Sequence, residues 1–404
     1  MRAFLHSIRV DRFFFLSGLV WFLVGTALAF MSSVDLHHPG AFGTGAGLTY
    51  GRVGDAEWVV FFYGGIFLAG GSVALRLFGM SGRFAMVAGA FWNVAMALYV
   101  YGILTCHMMI LLIGGGGVGF AVLCLPVIFL RAASRRPILT SAGRWVVAAF
   151  FSIPLLLLFM IGFSVGHHSG VASSSGMAWY AGGFCNLCLT PLALAAFYAT
   201  KKTPGPLTGI AFWTWIAVAG WTGPAILIGG PFPAWLPTVG VTAKLLLLIP
   251  VLAITADLVP TLRSASPWLV TAFCAWIALN VVGTLDAFRS VSSVVRFTYW
   301  ETAESELAVY GVFALAFLGF FAPRRGTAAF WIIVVAIALS VGSLAVGGLI
   351  QGLGLLDPKV PFEAITDTSL LFLRVHSVAL VLLCVGLVFY LVSFLREREP
   401  EAGS

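Results

Sequence analysis

The sequence predicts an all-α polytopic membrane protein of about twelve transmembrane helices, and three features of the chain say so. Hydrophobic residues make up 60% of its 404 positions and charged residues 9%. So few charges cannot cover a water-facing surface, so the solvent for most of the chain is lipid. Second, apolar runs long enough to span a bilayer, about 20 residues each, begin near Phe13, Trp58, Phe84, Met109, Trp145, Met177, Thr208, Trp235, Trp268, Ala303, Ala328 and Leu371. Third, of the 22 lysines and arginines, only Arg52, Arg289, Arg296 and Lys359 fall in segments on one side of the membrane, and sixteen fall on the other. By the positive-inside rule this asymmetry puts both termini in the cytoplasm.

The first run follows Arg2, Arg9 and Arg12, as a signal peptide would, but no small-residue cleavage site comes after it. It therefore reads as the first membrane helix. A polar, glycine-rich loop from Ser32 to Gly54 leads to the second run. Gly114 to Gly117 lie within the fourth, where small residues let helices approach closely. Leu130 to Gly143, with three arginines, and the turn Lys201 to Pro206 punctuate the middle of the chain. No internal repeat stands out. Residues 1–395 read as one transmembrane domain and 396–404 as a charged, disordered cytoplasmic tail. The net charge of +7 follows from topology, so no nucleic-acid partner is expected.

Several residues are chemically conspicuous in such a setting. Cys185 and Cys188, at i and i+3, suit a soft metal or a dithiol switch, or are simply small hydrophobes. Lys244 lies deep in the eighth run, with Asp257 about three and a half turns later. A lysine at that depth needs a partner or a wet cavity, and Asp286 is a candidate partner. Asp286 is equally able to pair with Arg289 near the end of the ninth run. Of the seven histidines, His376 alone lies within an apolar span; His37, His38, His107, His167 and His168 read as loop residues and His6 sits near the N-terminus. The loop histidines are either polar filler or a metal-capturing surface.

Five stretches, in order, carry a resemblance. They are Leu48-Thr49-Tyr50-Gly51-Arg52; Met177-Ala178-Trp179-Tyr180; Phe212-Trp213 through Trp221-Thr222-Gly223-Pro224 to Phe232-Pro233-Ala234-Trp235 and Gly240; Ser290-Val291-Ser292-Ser293 to Phe297-Thr298-Tyr299-Trp300; and Phe330-Trp331 to Gly347-Gly348-Leu349-Ile350-Gln351-Gly352-Leu353, with Arg374 beyond. Together they resemble the catalytic subunit I of cbb3-type cytochrome c oxidases, in the heme–copper oxidase superfamily. The resemblance runs from the first helix to the twelfth. It implies that superfamily's helical bundle, a multi-pass place in a bacterial inner membrane, and heme b and copper held by six histidines.

At the corresponding positions this sequence has none of those histidines. The low-spin heme ligand of the second helix falls on Glu57, and the two heme ligands of the tenth fall on Glu304 and Glu306. The copper ligands fall on Gly182, Ala225 and Ile226, and the redox tyrosine falls near Ala219. A carboxylate that the family carries in the ninth helix falls near Val282. The expectation is a pseudo-oxidase without catalytic residues, metal, heme or copper, serving as a scaffold or accessory subunit beside other membrane redox subunits in the lipid bilayer. Two alternatives stay open: an ion- or proton-handling transporter built on the outer carboxylates, or a residual oxidase with relocated ligands. Glu304 and Glu306 stand about 200° apart around a helix, so they cannot both face one site. Losing two hemes also leaves a volume question: Phe61, Phe62, Phe184, Phe212, Trp213, Trp215 and Trp221 are candidates to fill the space, and an unfilled centre is a pocket.

Overall fold

The computed structural model describes residues 9–42, 47–80, 82–134, 139–165, 170–201, 203–323 and 327–397. His6, His167, His168 and most of the proposed tail lie outside the described residues. The secondary structure of the rest is helical, with no strand among the described residues. In lipid a backbone must satisfy its own hydrogen bonds, and a helix does so within each segment.

The helices in chain order are α1 (Val10–His37), α2 (Tyr50–Phe78), α3 (Arg83–Thr105), α4 (Met108–Ser134), α5 (Ser141–Val165), α6 (Gly170–Tyr198), α7 (Thr208–Ala219), α8 (Trp235–Leu262), α9 (Pro267–Leu285), α10 (Tyr299–Phe320), α11 (Thr327–Leu356) and α12 (Phe362–Arg396). Short helical turns, Gly223–Leu227 and Arg289–Val295, join α7 to α8 and α9 to α10.

Among the described residues eleven helices are long and apolar enough to cross a membrane, where the sequence predicts about twelve. The difference is α7. It stops after 12 residues at Ala219, because Gly220, Gly223 and Pro224 follow and the chain turns into a 3-10 segment. Three other helices start earlier than their apolar runs. Tyr50, Gly170 and Phe362 open α2, α6 and α12, whose first turns are polar or small and therefore escape a hydropathy reading. His37 closes α1 instead of standing in a loop, and Arg396 closes α12 instead of opening a tail.

The layering is uneven. The apolar windows of α2, α6 and α10 are 78%, 67% and 72% buried, against 28% for α4. These three helices form the centre, and α3, α4 and α5 form a lipid-facing flank. Within the flank, Gly114, Gly115 and Gly117 bring α4 against Tyr99 and Ala95 of α3, the close packing expected of that glycine run.

Ion pairs staple the helices at the end rich in arginine and lysine. Lys201 meets Asp257 at 2.5 Å, and Tyr198 and Thr208 donate hydrogen bonds to the same carboxylate. Asp11 pairs with Arg76 at 2.8 Å, and the Arg76 guanidinium also lies 4.2 Å from the centre of the Phe321 ring. Asp257 is therefore spoken for by α6 and α7 and has no dealings with Lys244.

Candidate functional site

All three central helices depart from α geometry in mid-span. π-helical turns occupy Val60–Ile66 in α2, Phe184–Leu189 in α6 and Leu307–Ala314 in α10. Each begins within three residues of a singled-out position: Glu57, Gly182 and Glu306. A π turn inserts an extra residue per i→i+5 ring and is found mostly at functional sites. Nothing in residue type or spacing signals these turns, and the sequence reading missed them.

Glu306 faces one side of α10 and is buried at 5% exposure. Its carboxylate meets His376 Nε2 at 2.7 Å and accepts a short hydrogen bond from Ser340 of α11. His376 Nδ1 lies 2.8 Å from the Ser33 hydroxyl of α1. The imidazole tautomer protonated on Nε2 satisfies both contacts, donating to Glu306 and accepting from Ser33. From Ser33 the chain of contacts runs to Ser377 at 2.7 Å and on to His37 Nε2 at 2.9 Å. Glu57 lies beside Ser32 and within electrostatic reach of Glu306. Phe61 and Tyr310 pack edge to face, with ring centres 5.3 Å apart, and close the floor between α2 and α10. Five helical segments thus converge on one polar cluster.

The opposite side of α10 is open. A cavity of about 500 Å³ lies between α6, α8, α9 and α10, with Glu304, Lys244, Asp286, Gly182, Ile226 and Cys185 on its wall. Arg296 and Glu301, paired at 3.1 Å, stand at its rim with Trp300. Trp300 donates its indole N–H to Asp286 Oδ2 at 3.0 Å, which leaves Arg289 out of that carboxylate's contacts. Glu304 lies beside Asp286 and within electrostatic reach of Lys244 and Arg296. Gly283 makes room for this meeting. A Cβ there would stand 2.9 Å from Glu304 Oε1 and 3.6 Å from Lys244 Nζ.

The remaining positions divide. Gly182 packs its Cα hydrogen side directly on the backbone of Gly223, and Gly240 packs on the backbone of Pro224 and Ala225. The chain here is too tight for a larger side chain at 182 or 240. Ala225 is buried away from the cavity and offers its carbonyl to Arg296 at 2.9 Å. Ala219 is fully buried and does not line the cavity. Cys185 lines the cavity while Cys188, in the same π turn, is buried, and both are free thiols. Among the described residues no group of three or more histidine, cysteine or acidic side chains could hold a metal ion. Of the proposed fillers, Phe61, Phe184 and Trp215 are buried and Phe62 lines the cavity, but Trp213 and Trp221 are exposed. Trp213 points away from the centre because α7 turns its other face inward, with Ala211 and Trp215 buried, and Trp221, beyond the end of α7, packs on Trp179.

The cluster around Glu306 was partly readable. His376 is the lone histidine of an apolar span and a buried imidazole needs a partner, but Ser33, Ser340 and Ser377 carry no signal by themselves. The comparisons leave the geometry to speak alone: no protein-family model matches the chain, and no curated protein matches it.

Proposed function

We propose that this chain is a non-catalytic homologue of cbb3-type oxidase subunit I, a pseudo-oxidase that serves as an accessory or scaffold subunit of a membrane redox complex. One observation supports it most: the positions that the resemblance assigns to six histidines gather around α10 in two groups. Glu57 and Glu306 lie together on one side. Glu304, Gly182 and Ile226 lie on the other, with Ala225 one residue from the cavity wall.

The side chains present do not fit the family's metals. Glycine, alanine and isoleucine offer copper no donor atom, and Gly182 has no room for an imidazole against Gly223. Both nitrogens of His376 are engaged, one by Ser33 and one by Glu306, so neither is free to ligate iron. Carboxylates are poor axial ligands for a low-spin heme. On this reading the chain sits in a bacterial inner membrane with its arginine- and lysine-rich end and both termini in the cytoplasm.

A pyridine hemochrome spectrum with elemental analysis, on protein purified in mild detergent, tests the proposal. The expected result is no stoichiometric heme or copper together with co-purifying membrane subunits. Stoichiometric heme overturns it.

A second reading, ion or proton handling, draws on the unpaired Lys244 opposite Glu304 and Asp286. It predicts ion-dependent thermal stability that Glu57→Gln and Glu304→Gln abolish.

A further inference from the structure

The cavity beside α10 contains polar groups of both signs, with individual atoms left without a partner. The Lys244 ammonium makes no hydrogen bond or ion pair among the described residues, yet it lies within electrostatic reach of Glu304. Asp286 Oδ1 is buried without a donor, and so is the indole N–H of Trp276, a wall residue at 1% exposure without an acceptor. Charged groups left so at membrane depth are costly, and they persist where something polar meets them. The remaining wall is mixed: Phe62, Leu247, Leu279, Val312 and Phe313 give it an apolar stretch, and Asn186, Asn280 and Thr284 add uncharged polar groups.

We propose that this cavity binds an amphipathic zwitterion: a small molecule with an ammonium, a carboxylate and an apolar body, such as a free α-amino acid. Its carboxylate would take the hydrogens of Lys244. Its ammonium would stand against Glu304 and Asp286, and its apolar group would lie against Phe313 and Leu279. Gly283 keeps Lys244 and Glu304 close enough for one α-amino-acid head group to touch both. The alternatives fit the charges less well. A simple amine leaves Lys244 unmet and adds a second cation beside it. A simple carboxylate adds a third acid to two. A hard metal ion favours a cluster of carboxylates, and among the described residues no group of three or more histidine, cysteine or acidic side chains could hold one. A volume of about 500 Å³ holds an amino acid as large as phenylalanine with water to spare. The inference rests on the pseudo-oxidase reading in one respect, since it requires the cavity to be free of heme.

The test is equilibrium binding of tritiated L-phenylalanine and L-leucine to the purified full chain, after its heme content has been measured. Competition with phenethylamine, which lacks the carboxylate, and 3-phenylpropionate, which lacks the ammonium, decides the charge requirement. Saturable binding of an amino acid is expected, with both singly charged analogues weaker by about tenfold or more. Lys244→Met and Glu304→Gln should each weaken it by about tenfold or more, and Gly283→Leu should abolish it by filling the space. Either analogue competing as well as the amino acid overturns the proposal, as does binding that none of the three substitutions changes. If those variants fail to fold, the analogue comparison on the unaltered chain decides alone. A heme-free, folded preparation that binds neither amino acid overturns this inference and leaves the pseudo-oxidase reading standing. A heme-loaded preparation overturns that reading and this one with it.

Discussion

Glu304 and Glu306 are two residues apart on α10 and resolve the same difficulty in opposite ways. Glu306 is enclosed at 5% exposure by α1, α11 and α12, and its carboxylate is met by an imidazole and a hydroxyl. Glu304 faces a cavity and is met by nothing closer than a neighbouring acid and the field of a lysine. The difference lies in what the facing helices bring. Ser33, Ser340 and His376 are uncharged or neutral-capable donors that can be buried with the carboxylate at modest cost once hydrogen-bonded. Lys244, Asp286 and Glu304 are three ionisable groups at one depth, and closing the bundle on them would bury a lysine and two acids without enough partners. One side of the helix could close and the other could not. A cavity need not collapse where its wall carries ionisable groups.

Variants on the two sides should therefore respond unequally. Removing the imidazole in His376→Ala leaves a buried carboxylate facing a void, at an expected cost of about 3–5 kcal/mol, read as the largest fall in Tm followed by tryptophan fluorescence in detergent. A Tm within a degree or so of the parent would mean that the cluster is wet. Glu306→Gln keeps the shape but weakens the charged hydrogen bonds, with about 1.5–3 kcal/mol expected; a double-mutant cycle with His376→Ala should show strong coupling. Gly182→His would restore one family imidazole. It should cost about 1–3 kcal/mol through overpacking against Gly223 and bind no copper, and a stable, copper-loaded variant would show that the backbone yields. Glu304→Gln is expected to shift stability by less than about 1 kcal/mol, because that side chain faces a cavity and not a closed set of packed partners. If it destabilises as much as Glu306→Gln does, the two sides are not different in kind.

Much of the bundle was legible in the sequence because its cause is local. Lipid demands apolar runs of a set length, and most of the long helices begin near the predicted points. Legibility failed where polarity hid a helix, as at the Tyr50 and Phe362 starts, and where glycine and proline cut one short, as in α7. In the site, the spacing of Glu304 and Glu306 already said that they face apart, since helical geometry alone decides it. The partners were out of reach. Asp257 stands on the same helix as Lys244 with no partner that periodicity could name, and Lys201, Tyr198 and Thr208 supply its contacts. Trp300 claims Asp286 in the same way. Such contacts join residues from separate helices, and no periodicity within one helix encodes them.

The sequence by itself determined that the chain is a multi-pass helical bundle and that glycine, alanine, isoleucine and glutamate stand where the resemblance would put histidines. Those are properties of residue type and local hydrophobicity, complete before any helix meets another. Only the tertiary structure decided which carboxylate is enclosed and which is left facing a cavity. Burial depends on what the neighbouring helices carry to the same depth: hydroxyls and an imidazole close around one acid, and a lysine and a second acid line a cavity beside the other.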